Sequence, residues 1–288
     1  MISTTLEPNY LARVITDQTG LGFEAKSDVD ADGQLRYLLR PRDLPAEHTF
    51  CIQTTLGWRR LRVDFEPGKF AVSLLADMGH ADADARSVFR SVLADCVDCG
   101  AEIHLEINGK TAPFDSDDVW AQKWSALALT LKNGQLELWP DDGEPDAQIA
   151  CRWTGRHAAA IVAILPTESE SVMVDPDVVG YPEGALATVQ INRFERDRRN
   201  RAAAIAIHGS TCKGCGLEMA AKYGSLASGV IEVHHITPVS ELGDSHVIDP
   251  ATDLVPLCPN CHTVVHRRSP PISIEDLKEL IWGSRDKI

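Results

Sequence analysis

The 288-residue chain is 44% hydrophobic and 24% charged, with 42 acidic against 28 basic residues and a formal net charge of −14. That length corresponds to about two domains, and the apolar fraction is enough to bury a substantial core. No apolar run is long enough to span a bilayer, and eight cysteines behind a polar MISTTLEPNY start fit a reducing cytoplasm and not a disulfide framework.

Residues 1–166 read as an α+β domain. RRLRVDFEPGKFAVSLL alternates like a hairpin around Pro67–Gly68. ADADARSVFRSVLADC then has helical spacing, with Val88, Val92 and Leu93 on one face and aspartates near its start. EIHLEINGK reads as a strand ending at Asn108–Gly109, and DSDDVWAQKW as a short helix. LALTLKNGQLELW reads as a strand pair about Asn133–Gly134, a two-residue hairpin signal. Cys96-x-x-Cys99 has the spacing of a metal or redox knuckle but no second pair nearby, so two partly buried thiols at a helix end are the favoured reading. Trp58, Trp120, Trp124, Trp139 and Trp153 are expected in the core; an aromatic pocket for a flipped base is the less favoured alternative. No known family is recognisable in this half.

TESESVMVDPDVVGYPEG, at 167–184, is rich in acidic residues, proline and glycine and is the expected linker to a second domain at 185–288. Charge divides across it. Through Glu183 there are 30 acidic and 16 basic residues, a net of −14; from Gly184 onward there are 12 of each. A net of −14 argues against broad DNA wrapping by the first half. The second half opens with RFERDRRNR ahead of the helix-forming AAAIAIHG. Arg193, Arg196 and Arg199 there could lie along a phosphate backbone. An equally weighted reading is a solvated helix with Glu195–Arg199 and Asp197–Arg201 pairs at i,i+4. His208, just before Gly209, is expected at a helix C-terminus, and His246 is expected to face solvent from a loop.

Two Cys-x-x-Cys pairs, Cys212/Cys215 and Cys258/Cys261, enclose the adjacent histidines of EVHHITP, and His262 and His266 follow. These ligands exceed what one tetrahedral zinc can take and imply two metal centres. Four thiolates in two such knuckles suit a closed, structural Zn²⁺. The 42 residues between Cys215 and Cys258 are more than a simple zinc ribbon of about 15–20 needs. Within them VIEVHH reads as a short strand ended by Pro238, and SELGDSHVIDPATD as a loop. DLVPLC leads into CPNCHTVVHRR, where His262 and His266 share one face of a helix. Strand, loop and helix would bring His234, His235, His262 and His266 together.

At these residues the sequence resembles the HNH endonucleases, also called ββα-metal or His-Me finger nucleases, and especially the zinc-stapled branch that includes modified-cytosine restriction enzymes. The resemblance spans roughly residues 183–267 and implies a ββα-metal finger with a four-cysteine structural zinc site, following the N-terminal α+β domain read above, so that the fold class expected of the whole chain is α+β. It implies that His235 is the general base and that His234, His262 and His266 ligate a catalytic divalent ion, with positions left for water and a phosphate oxygen. Histidine ligation admits Mn²⁺, Ni²⁺, Co²⁺ or Zn²⁺ at least as well as Mg²⁺. Asp253 stands where the family has its middle Asn. It can still accept a hydrogen bond and orient the loop or base, but it adds negative charge. Arg267 and Arg268 are well placed to touch phosphate near the cut.

The implied activity is metal-dependent hydrolysis of DNA, leaving 5′-phosphate and 3′-hydroxyl ends, in restriction or anti-phage defence. A single finger cuts one strand per event, so double-strand breaks require a homodimer or two nicks. The first domain is expected to set specificity or receive a protein or small-molecule signal. Two other classes compete: a non-catalytic zinc module that binds nucleic acid, and an RNase or toxin using the same finger.

Overall fold

Most strands of the first 133 residues bury every second side chain, the pattern of a sheet packed on one face. The computed structural model describes residues 6–42, 44–57, 60–133, 146–166, 198–237, 247–268 and 270–283. In chain order the N-terminal elements are α1 (Pro8–Thr19), β1 (Phe23–Val29), β2 (Leu35–Pro41), β3 (Phe50–Leu56) and β4 (Leu61–Pro67). Then come α2 (Val72–Gly79), α3 (Ala83–Asp98), β5 (Glu102–Ile107), β6 (Lys110–Thr111), β7 (Leu127–Asn133) and α4 (Asp146–Ala163). The strands form one antiparallel sheet in the order β1-β2-β3-β4-β7-β5-β6.

Tyr37 and Leu39, Phe50 and Ile52, Val63 and Phe65, Leu129 and Leu131, and Leu105 and Ile107 are all buried at i,i+2 spacing. The helices α1, α3 and α4 cover that face. In α4 the run Ala158, Ala159 and Ala160 is fully buried, small side chains that let the helix approach closely. Two buried polar contacts sit beneath α4: Thr54 Oγ1 and Thr154 Oγ1 are 2.7 Å apart, and His157 Nε2 donates to the Leu129 carbonyl at 3.1 Å.

The helix expected from ADADARSVFRSVLADC is α3, whose Asp82 side chain accepts from the Ala85 N–H at 2.7 Å as an N-cap. Asn108 and Gly109 both take positive φ, 54° and 75°, and join β5 to β6 as a tight hairpin. A short 3-10 turn at Asp117–Trp120 replaces the helix read in DSDDVWAQKW. One expectation is corrected: the residues after Pro67–Gly68 do not return as a strand. They form α2, because Leu75 and Met78 at i,i+3 bury one helical face, while β4 finds its partners in β3 and β7. Both edges of β7 are likewise occupied, by β4 and β5. The second strand expected after Asn133–Gly134 lies outside the described residues, as do Trp58, Trp139 and the linker 167–184.

The other tryptophans expected in the core, Trp120, Trp124 and Trp153, are buried there. Trp120 and Trp124 stack at 4.9 Å with 7% and 0% exposure, and Trp153 is 1% exposed, which removes them as an open base pocket. Cys96 is buried and Cys99 exposed; the Cys99 sulfur accepts from the Arg156 guanidinium at 3.2 Å.

The C-terminal elements are α5 (Arg198–His208), α6 (Met219–Tyr223), β8 (Glu232–His235), β9 (Leu254–Leu257), α7 (Pro259–Val265) and α8 (Ile274–Trp282). β8 and β9 pair antiparallel, with His234 opposite Val255 and His235 opposite Leu254. Helix α5 belongs to two cores at once. Ala202 and Ala203 pack with the sheet domain, whereas Ala204 and Ile205 pack with Ile231, Val233, Leu254 and Leu257. His208 ends α5 as expected and its Nε2 bonds to the Pro250 carbonyl at 2.9 Å. His246 lies outside the described residues. Among the described residues no helix is long and apolar enough to cross a membrane.

Candidate metal centre

Cys212 and Cys215 flank a tight turn. The Gly216 N–H donates to the Cys212 carbonyl at 2.9 Å, and Gly216 takes φ 71°, a conformation suited to glycine. The second knuckle begins at Cys258 as β9 ends and runs into α7, which starts with Pro259 at its first turn, where a missing N–H costs nothing. The Lys213 N–H donates to the Pro256 carbonyl at 2.9 Å and binds one knuckle to the strand that carries the other. Gly214 is closely packed: a Cβ there would lie 2.6 Å from Leu277 Cδ2 and 3.3 Å from the Cys261 sulfur, so the Leu277 side chain would have to shift.

The four sulfurs lie within 4.8 Å of one another. Cys215 Sγ and Cys258 Sγ are 3.7 Å apart, too far for a disulfide. That distance matches the edge of about 3.8 Å for a tetrahedron with Zn–S bonds of about 2.3 Å. Burial raises the Cys261 and Cys215 thiols, and adjoining thiols add to the rise, so these groups are short of positive charge. At Cys212 burial is outweighed by N–H groups of Cys215, Cys258 and Gly214, which bring it down to about 7. Four crowded thiols, one already held near its thiolate form, are what a divalent cation would relieve. The cysteines cluster as a zinc site.

The second group is His234, His262 and His266, again with ligand atoms within 4.8 Å. Their ring centroids are 4.7–5.5 Å apart. His234 Nδ1 and His266 Nε2 are 3.2 Å apart, between the cis edges of about 3.0 Å (octahedral) and about 3.4 Å (tetrahedral) expected for bonds near 2.1 Å. Burial, followed by the His266, His262 and His235 rings, pushes His234 down to about 4, so its ring is neutral and offers a lone pair. His262 is fixed from behind: its Nδ1 lies 2.5 Å from Glu232 Oε2. A proton donated there leaves Nε2 as the ligand atom, the usual carboxylate–histidine support of a metal ligand.

Of the four expected histidines, three form this cluster and His235 does not belong to it. The pleat sends His235 to the other side of β8 from Glu232 and His234, and it is 7% exposed. Asp253 sits just before the residue opposite His235. Its carbonyl accepts from the Ile236 N–H at 2.9 Å, while its carboxylate accepts from the Asp249 N–H at 2.9 Å and the Thr252 hydroxyl at 3.2 Å. The carboxylate thus holds its own loop.

Arg267 and Arg268 follow His266 and are exposed. Arg193 and Arg196 lie outside the described residues. Arg199 is turned inward: its side chain is 13% exposed and reaches Asp82 at 3.3 Å. Neither weighed reading of that helix anticipated this partner. Glu232 also went unnoticed in the sequence, although its i,i+2 spacing from His234 places both on one strand face.

Residues 212–268 match the family model described as HNH endonuclease. Among curated proteins, the type IV methyl-directed restriction enzyme EcoKMcrA of Escherichia coli (strain K12) is 30% identical over 111 residues, covering 35% of this chain and 38% of that protein. The chain therefore spans well under two thirds of that relative's length. No solved structure matches the chain. The chain carries an HNH nuclease domain stapled by a four-cysteine cluster, and in part of its length it is a homologue of a restriction enzyme.

Proposed function

We propose that the protein is a metal-dependent DNA endonuclease of the restriction type, which hydrolyses phosphodiester bonds to 5′-phosphate and 3′-hydroxyl ends. The observation that carries this reading is the convergence of three imidazoles at ion-sharing distance, with a fourth histidine, His235, adjoining His234 in sequence and outside the ligand set. A simple binding knuckle has no use for that second cluster.

In this reading His234, His262 and His266 hold a divalent ion, and Glu232 orients His262. An ion held there would supply Lewis-acid polarisation of a phosphate oxygen and charge compensation for the departing 3′ oxygen. His235 accepts the proton of the attacking water, the general-base task that histidine most often performs. Asp253 braces the loop against β8, and Arg267 and Arg268 meet the phosphate backbone. The partial homology to a methyl-directed enzyme supports modified duplex DNA as the substrate, with defence against foreign DNA as the role.

Plasmid DNA, methylated and unmethylated, incubated with the full chain and Mg²⁺, Mn²⁺ or Ni²⁺ tests the proposal, with RNA and single-stranded DNA alongside. Ion-dependent nicking that His235→Ala lowers by about 10²–10⁴-fold supports it. An inert protein under every ion and modification state counts against it. Preferential cleavage of RNA would move the assignment to a ribonuclease.

A further inference from the structure

Arg201 lies on α5, the helix shared by both cores, and is half-buried. Nη1 donates to the Ile231 carbonyl at 2.5 Å and Nη2 to the Gly229 carbonyl at 2.9 Å. One planar group thus grips two carbonyls of the segment that leads directly into β8, where the next residue is Glu232. Burial lowers the Arg201 pKa, offset by the charges of Asp17 and Glu232 on either side. Asp17 belongs to α1 of the sheet domain. Gly229, at φ 73°, meets α1 so closely that a Cβ would lie 2.5 Å from Asp17 Cβ.

These contacts form a continuous physical link. Helix α1 supplies Asp17 and the surface on which Gly229 rests. Arg201 fixes the two carbonyls, and the strand so held carries Glu232 and His234. Glu232 in turn sets the His262 ring. We propose that Arg201 is a positioning residue for the histidine site, through which the sheet domain fixes the geometry of the metal ligands. It rests on the nuclease reading given above. Lysine at this position keeps the charge but cannot span two carbonyls with one rigid fork.

The test uses the full chain as Arg201→Lys and Arg201→Met, with zinc content, Co²⁺ titration of the histidine site by visible absorption, and cleavage kinetics as readouts. Co²⁺ on three imidazoles is distinguished from Co²⁺ on four thiolates by its lack of intense sulfur charge-transfer bands. The expected result is unchanged zinc content, Co²⁺ affinity reduced by about tenfold or more, and a fall in kcat with KM for DNA unchanged. Combining Arg201→Lys with Glu232→Gln should cost less than the sum of the two, because both act through His262. Wild-type Co²⁺ affinity in Arg201→Lys, or full additivity with Glu232→Gln, overturns the proposal. Should Arg201→Met fail to fold, the lysine variant decides. A wild-type protein that binds no Co²⁺ beside its zinc would sink the nuclease reading as well, whereas equal binding by wild type and Arg201→Lys sinks this proposal alone.

Discussion

The Glu232 carboxylate lies 2.5 Å from Nδ1 of His262, on the strand face that also carries His234. This contact fixes a tautomer, because a proton held at Nδ1 leaves Nε2 free to bind an ion. Glu232→Gln keeps the shape but weakens the acceptor. We expect the affinity of the histidine site for Mn²⁺ or Ni²⁺ to fall by about 10–100-fold, with the zinc content untouched. Isothermal titration against the divalent ion checks it, and an unchanged affinity would mean that the carboxylate is a bystander.

Cys258→Ser removes one corner of the sulfur tetrahedron and the residue from which α7 starts. Structural zinc binding in small modules is worth about 10–16 kcal/mol of apparent free energy, so the module should lose zinc and unfold. The sheet domain, with its own core, should persist. Zinc release measured alongside circular dichroism and limited proteolysis would show a protected N-terminal fragment and a degraded C-terminal one.

His157 is fully buried beneath α4, and burial pushes it down to about 4 despite its hydrogen bond to the Leu129 carbonyl. The folded ring therefore stays neutral between pH 6.5 and 4, while the unfolded chain takes up a proton. Folding stability is complete above about pH 6.5 and falls with pH down to about 4, by about 3 kcal/mol from this group. Urea midpoints of wild type and His157→Phe, compared over that range, should show a shallower pH slope in the variant. Equal slopes would remove His157 as the source.

Arg267 and Arg268, exposed after His266, carry the proposed phosphate contacts. Replacing both with alanine should reduce the slope of log affinity against log salt by about 1 for each lost contact, evenly across DNA sequences. Fluorescence anisotropy at several salt concentrations measures this. An unchanged slope would place the DNA elsewhere.

The C-terminal site was largely legible because metal ligation demands particular side chains at fixed spacings. The paired cysteines and the i,i+4 histidines announce their partners, and β8, β9 and α7 bring them together. Glu232 was not legible, since one carboxylate on a four-residue strand carries no spacing signal. Arg201 was hidden for a different reason. Its partners are main-chain carbonyls 28 and 30 residues away, which only the fold brings near. In the sheet domain, strict alternation revealed β4, β5 and β7. Residues 69–75 read as a returning strand because Phe70, Val72 and Leu74 alternate, and only the packing of Leu75 and Met78 decides for a helix. The all-buried alanines of α4 have no amphipathic period to detect.

The most direct test is cleavage of supercoiled DNA by the purified chain after mild chelation that leaves its single structural zinc in place. The account predicts no cutting in that state and full recovery on adding Mn²⁺ or Ni²⁺, with recovery lost in a His234→Ala, His262→Ala double variant that retains its zinc. Cutting that survives chelation, or that the double variant recovers as well as wild type, would contradict it.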